Sequence, residues 1–394
     1  MRDDPALSWG QSVWRQLRRR PLAWGALWAT ATLFVLAVVA PVIASDQPFV
    51  WRTAAGWSSP WLVSLYDHDR YTTGVDFLFN TLLLPGLPLA GLAWAATRFG
   101  RLRGDVVFGA WLALWLGGFT AVQVREATHP KVNWSALHAT LTSEGEAVTA
   151  AFPPLRQSYL TTDITQALKP PSAAHPLGTD NEGGDTFTRL LYGIRISLTI
   201  GVFAVALYCT VGCVLGGLAG YYGGRVDLVI STLIEVVMCV PQLLLVLSAA
   251  AILDEPGVFH IMGLIAAVSW TGPARLVRAE FLKLRELDFV TAARARGYPP
   301  RTIIFAEILP NAIGPLLVSA TFGVAGAILV ESTMAVLGLG ASNAPSWGGM
   351  LNVGRNVDNW RLILVPGLAI FGTVSLLNLV GEGVRDALDP RLRG

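Results

Sequence analysis

Few side chains in this 394-residue chain stand where they could carry bond chemistry. The three cysteines, Cys209, Cys213 and Cys239, all fall inside apolar runs, so no disulfide framework is expected. The five histidines form no HExxH pair and join no cysteine at zinc-ligand spacing, which leaves no expected metal site. Neither Lys131, Lys169 nor Lys283 follows a glycine in a phosphate-cradling pattern, and no GxSxG presents a nucleophile. The chain is therefore expected to catalyse nothing itself and to hold no cofactor. Two carboxylates are more suggestive, because Glu235 and Glu331 lie inside long apolar stretches. A carboxylate facing lipid costs about 2.5–3.5 kcal/mol, so both should face protein or water. Either residue could line a polar path through a membrane or bond to a neighbouring helix. Pro241 joins them as a candidate because it removes a backbone bond and allows a bend. Pro273, Pro315 and Pro366 interrupt other apolar stretches in the same way.

The elements that must position these residues follow from composition. Hydrophobic residues make up 53% of the chain and charged residues 14%, against roughly 25% charged in a soluble domain. Apolar runs of spanning length recur from end to end. Eight are expected, at 21–44, 77–97, 106–124, 196–220, 228–253, 258–274, 312–339 and 362–381. Arg15, Arg18, Arg19 and Arg20 precede the first run and place its start on the cytoplasmic side. A cleaved signal peptide is the alternative there, but the run exceeds the usual length of such a segment. Eight spans put both termini inside, with Gly100 and Gly394 inside and Ala150 outside. On this assignment roughly two thirds of the 29 basic residues lie on inner segments, as the positive-inside rule requires. A net charge of +2 gives no reason to expect nucleic acid.

Three stretches stand out against this background. Residues 125–176 are polar and proline-bearing, and read as an external loop or small cap with a weak helix signal at 136–151. Gly212, Gly216 and Gly220 recur at four-residue spacing, which clears one helix face for close approach of another backbone. The largest inner segment, 280–311, reads EFLKLRELDFVTAARARGYPPRTIIFAEILPN. Leu284, Leu287 and Val290, with Phe289 beside them, suggest an apolar stripe on one helix over 284–296. Gly297 should end that helix and Pro299-Pro300 start the next. An amphipathic helix lying at the headgroups would show the same features.

Within that segment Ala292-Ala293, three residues, Gly297, and Leu309-Pro310 thirteen residues beyond the glycine resemble the EAA loop of bacterial ABC importer permeases. The segment departs from that pattern at Thr291, where the family has glutamate, and at Glu307, where it has an aliphatic residue. Residues 175–198 (HPLGTDNEGGDTFTRLLYGIRISL), 220–228 (GYYGGRVDL), 337–351 (LGLGASNAPSWGGML) and the C-terminal GEGVRDALDPRLRG resemble the dipeptide and oligopeptide branch, in its second permease subunit. Gly184 replaces a common arginine there, as in the branch that includes microcin C and related peptide importers.

The resemblance implies an all-α polytopic type I importer fold in the bacterial cytoplasmic membrane. Three regions are expected: 1–45, the N-terminus and first span; 46–176, an inserted hairpin with external loops; and 177–394, the permease core. It also implies transport of peptides or peptide-like solutes by alternating access, with 280–311 docking on separate ATPase subunits that bind ATP and Mg. Asp288, Ala292, Ala293 and Gly297 would be the coupling positions, with Leu309 and Pro310 closing the loop. A second homologous permease, two ATPases and an external substrate-binding protein are the implied partners. The hairpin within 77–124 reads as lipid-facing padding or a docking surface. Competing readings are a permease for nickel or oligosaccharide, a carrier driven by an ion gradient and a membrane hydrolase. The carrier normally shows an internal repeat, and none is visible. A hydrolase would need a nucleophile beside a base, or a metal set.

Overall fold

The computed structural model describes residues 9–54, 56–99, 104–124, 132–144, 148–342 and 344–388. Gly100 and Gly394, together with Arg101, Arg103 and the end of the C-terminal motif, lie outside the described residues. In chain order the helices are α1 (Trp9–Arg18), α2 (Pro21–Ile43), α3 (Pro60–Ser64), α4 (Gly74–Thr81), α5 (Leu87–Phe99), α6 (Gly104–Val124), α7 (Trp134–Ser143) and α8 (Thr186–Tyr222). They continue as α9 (Gly224–Met238), α10 (Gln242–Ala250), α11 (Val258–Ser269), α12 (Thr271–Leu284), α13 (Asp288–Ala295), α14 (Pro300–Thr302), α15 (Leu309–Val336), α16 (Trp347–Asn356) and α17 (Trp360–Leu388). Each expected apolar stretch falls on helix. Among the described residues five helices are long and apolar enough to cross a membrane, and α9 with α10 makes a sixth if that pair, bent by 76°, counts as one. The remaining two stretches form shorter apolar helices, Val106–Val122 and Val258–Ser269. Among the described residues the fold is helical with one addition, an antiparallel sheet in the order β2-β1-β3 from β1 (Val50–Thr53), β2 (Gly56–Ser58) and β3 (Thr149–Ala151). Strand β3 takes the end of the stretch expected to be helical at 136–151, of which α7 forms the first part.

Of the four prolines expected to interrupt spans, two stand at breaks, Pro241 between α9 and α10 and Pro273 just past the junction of α11 and α12. Pro315 and Pro366 sit inside continuous helices, and Pro273 lies in the first turn of α12, where a missing N–H costs little. Pro85 and Pro310 fall in or just after π-helical turns, Leu82–Gly86 and Ile303–Ile308. A wider turn accommodates the ring and the missing donor without ending the helix.

The chain divides into two compact units. The first comprises Met1–Thr32, Ser197–Ala341 and Gly367–Gly394. Its organising contact is the glycine face of α8. A Cβ at Gly212 would lie 2.7 Å from Pro273 Cβ, one at Gly220 would lie 2.5 Å from Phe281 Cβ, and one at Gly216 would collide with the Ala274 backbone. Helix α12 therefore packs directly on the backbone of α8, as the four-residue spacing implies. Helix α12 also packs on α15, and Ala325 and Ile328 of α15 join Leu377 of α17 in a buried cluster.

The second unit comprises Leu33–Ile196 and Ser342–Pro366. Thr73 caps α4 through its side chain, and all of Val75–Thr81 is buried. The 175–198 motif here acts as a brace. Asp185 accepts the Thr188 N–H at 2.7 Å, capping α8, and holds the His175 ring at 2.9 Å. Asp180 accepts the Gly184 N–H at 2.8 Å and pairs with Arg189. Trp347, which is fully buried, donates its indole N–H to Leu190 O at 3.0 Å, and a Cβ at Gly193 would lie 2.7 Å from that ring.

Candidate functional site

The coupling segment is two helices rather than one. Helix α12 ends at Leu284, and Leu287 adopts extended backbone as the N-cap of α13. This breaks the expected 284–296 helix and its stripe, because Leu284 and Val290 are buried while Leu287 and Phe289 are 43% and 36% exposed. Val290 and Ala293 are completely buried and anchor α13, which packs on the Ile303–Ile308 turn. Asp288, Ala292 and Arg294 point outward. Asp288 occupies the first turn, where its charge suits the helix dipole.

Gly297 closes α13 as expected. Its φ of +78° is left-handed, the Gly297 N–H donates to Arg294 O at 2.9 Å, and the Tyr298 N–H donates to Ala293 O at 3.2 Å. That is a complete Schellman pair. Pro300 then starts α14 at its first position. Leu309 is half-buried and Pro310 exposed in the first turn of α15.

Three contacts tie this segment to the helices behind it. Arg285 donates to Gly220 O at 3.0 Å, at the end of the glycine face. The Arg294 guanidinium lies 5.7 Å from the centre of the Tyr221 ring. Arg278 grips Asp227 with two nitrogens, one of them at 2.8 Å, and so binds α12 to α9.

The pathway candidates separate. Glu331 is buried at 1% exposure and accepts from Ser332 Oγ at 3.3 Å, inside the first unit. Glu235 is exposed one turn before the end of α9 and lines a cleft of about 390 Å³ with Met238, Cys239, Arg275 and Arg278. Pro241 lies just past that cleft as the N-cap of α10.

Arg195, part of the 175–198 motif, and Asp76, not singled out from the sequence, form the most buried charge pair among the described residues of the second unit. Arg195 on α8 is 0% exposed and donates to Asp76 Oδ1 at 3.1 Å, Asn80 Oδ1 at 3.0 Å and Ala37 O at 2.7 Å. The second oxygen of Asp76 accepts from Thr73 Oγ1 at 2.7 Å and from the Tyr159 hydroxyl at 2.9 Å. Burial, followed by the Asp76 charge, pushes the Tyr159 phenol well above its ordinary value, and burial raises Tyr71 to about 12. Tyr159 therefore stays a proton donor at any ordinary pH.

Residues 212–394 match the family described as the binding-protein-dependent transport system inner membrane component. Residues 8–55 match the N-terminal TM domain of oligopeptide transport permease C. The dipeptide transport system permease DppC of Alkalihalophilus pseudofirmus is 41% identical over 62% of this chain and 82% of its own. The glutathione transport system permease GsiD of Pectobacterium atrosepticum is 40% identical over 57% of this chain and 75% of its own. A chain of the inward-facing MetNI methionine ABC transporter overlays 51% of this chain and 96% of itself, at TM-score 0.43 and 17% identity. With matches at both ends and relatives so largely covered, the chain belongs to the inner-membrane permease subunits of binding-protein-dependent ABC importers, in their dipeptide and oligopeptide branch.

Proposed function

We propose that this chain is one of two membrane subunits of an ATP-driven importer that moves peptides or peptide-like solutes into the cytoplasm by alternating access. A second homologous permease completes the path, a substrate-binding protein delivers solute from outside, and two ATPase subunits holding ATP and Mg dock on the cytoplasmic side. The observation that carries this reading is the construction of α13. It is a short helix fixed by two buried residues and a glycine-closed turn, with Leu287, Phe289 and Ala292 turned outward. Exposed apolar side chains on a braced helix suit a groove in another protein, and the contacts from Arg285, Arg294 and Arg278 give its movement a route to α8 and α9. Asp288, Ala292 and Gly297 are the surface and hinge of the coupling element, Ala293 is its anchor, and Leu309-Pro310 closes it. Peptide as the solute draws support from relatives named for dipeptide and glutathione transport.

The test is purification of this chain with its partners, identification of the retained ligand, and uptake into proteoliposomes. Peptide uptake that follows ATP and survives collapse of ion gradients is the expected result. Uptake that follows an ion gradient without ATP would overturn the importer reading, and ATP-driven uptake of a non-peptide solute would overturn the substrate class.

A further inference from the structure

The cleft between α9 and α12 holds four charged side chains in two different states. Asp227 and Arg278 satisfy one another. Glu235 and Arg275 do not. Among the described residues the Glu235 carboxylate makes no hydrogen bond or close ion pair and feels the Arg278 charge only from beyond ion-pair distance, and the Arg275 side chain makes only a 3.5 Å contact with the Met238 sulfur. Both side chains are exposed, and they line one cavity without pairing with each other. An exposed carboxylate on an apolar spanning helix is costly against lipid, so this face must meet water or another protein.

The backbone beside it adds a second, independent observation. Helix α9 stops at Met238, and α10 starts beyond Pro241 at an angle of 76°. Pro241 lacks the N–H that a continuous helix would give to the Val237 carbonyl. The end of α9 therefore presents carbonyl oxygens and the negative end of a helix dipole next to Glu235, a setting that favours a cation. Arg275 supplies the opposite charge across the same cleft, and its guanidinium can take a carboxylate through two parallel bonds.

We propose that this cleft is a solute subsite that receives the two charged ends of a small zwitterionic peptide, with Glu235 taking the ammonium and Arg275 the carboxylate. The inference rests on the peptide-import reading above. A cavity of about 390 Å³ is within the range of small-ligand sites. Leaving the two charges apart fits a ligand that is itself a dipole, since a direct ion pair would have to break before such a ligand could bind.

Cys239 lines the cleft and is exposed, so it reports on the site directly. The experiment uses the purified permease and ATPase complex with Cys209→Ala and Cys213→Ala in this chain, and a hydrophilic maleimide, which needs a thiolate in water. Millimolar dialanine should slow alkylation of Cys239, whereas N-acetyl-dialanine and dialaninamide should protect poorly. Glu235→Gln and Arg275→Gln should each weaken dialanine protection by about tenfold or more, as losing one charged partner does. Glu235→Asp and Arg275→Lys keep the charge and should retain most of the protection, which separates recognition from misfolding. A thiol that cannot be alkylated, equal protection by end-blocked peptides, or unchanged protection in the Gln variants would each overturn the subsite. If the wild-type importer with its binding protein takes up dialanine on ATP while any of these holds, the subsite alone has failed. If it takes up no peptide, the reading beneath it has failed.

Discussion

Arg195 Nη1 and Asp76 Oδ1 meet at 3.1 Å with both side chains essentially sealed from solvent. The pair joins α8, which carries the family motif, to α4, which opens the hairpin between the first span and the permease core. Arg195 also holds the Ala37 and Val38 carbonyls of α2. Three helices that are far apart in sequence thus converge on one guanidinium, and α4 is an integral wall of the second unit. Helix α6, in contrast, carries exposed Val106, Phe108, Leu114 and Leu116.

Breaking a buried ion pair from one side leaves an uncompensated charge, at about 3–5 kcal/mol. Asp76→Ala should therefore lower the melting temperature of the purified complex sharply. The double variant Asp76→Leu with Arg195→Met removes both charges and should be less damaging than either single change. A double-mutant cycle with no coupling between the two positions would contradict the convergence described above.

The pair also explains what the sequence left hidden. Apolar runs end where charges interrupt them, at Phe77 and Ile196, so in the sequence Asp76 and Arg195 each fall one residue outside a span. Only the three-dimensional meeting of α4 and α8 turns two apparent boundary charges into a buried pair. The glycine face of α8 was legible because a repeat of four residues depends on local helix geometry alone. The turn between α12 and α13 was not, since Leu284, Leu287 and Val290 fit a continuous helix. What breaks it is tertiary: Arg285 is drawn to Gly220 O, and Leu287 turns outward with extended backbone. Glu235 and Glu331 looked alike in sequence, and only packing separates a cleft residue from a buried one.

Adding bulk to the glycine face should cut the connection between α12 and α8. Gly216→Leu forces a side chain into the Ala274 backbone, where overpacking costs about 1–3 kcal/mol or more. Transport should fall while the chain still inserts. Gly272→Ala on α12 meets open space and serves as the control. Equal behaviour of the two variants would show that the close approach is unimportant.

Orientation can be checked with single cysteines in a background lacking Cys209, Cys213 and Cys239. A cysteine at Ala150, in the sheet, should react with an impermeant maleimide added to intact cells. A cysteine at the exposed Glu286, beside α13, should react only after the membrane is opened. Labelling of position 286 from outside would reverse the topology and remove α13 from the reach of cytoplasmic ATPases.

The coupling segment makes the sharpest distinction, because its surface and its anchor can be altered separately. Ala292 is exposed, so Ala292→Asp places a charge on the outer face without disturbing the packing of α13. Loss of ATPase binding with an intact permease is the expected result. Ala293 is completely buried, and Ala293→Asp would drive a carboxylate into the contact with the Ile303–Ile308 turn, loosening α13 itself. Gly297→Val acts differently again. The space beside Gly297 is empty, so the cost is backbone strain alone, about 1–3 kcal/mol for a side chain held at a φ of +78°. This variant should still bind ATPase subunits in part, yet hydrolyse ATP with little transport, because the turn that fixes the end of α13 beside the Ile303–Ile308 turn is loosened. A helix that merely lay on lipid headgroups would keep ATPase binding and coupling in Ala292→Asp and Gly297→Val, while Ala293→Asp would loosen it in either case. Wild-type assembly and coupling in Ala292→Asp and Gly297→Val would therefore exclude α13 as the point where ATP hydrolysis in another subunit becomes motion in this one.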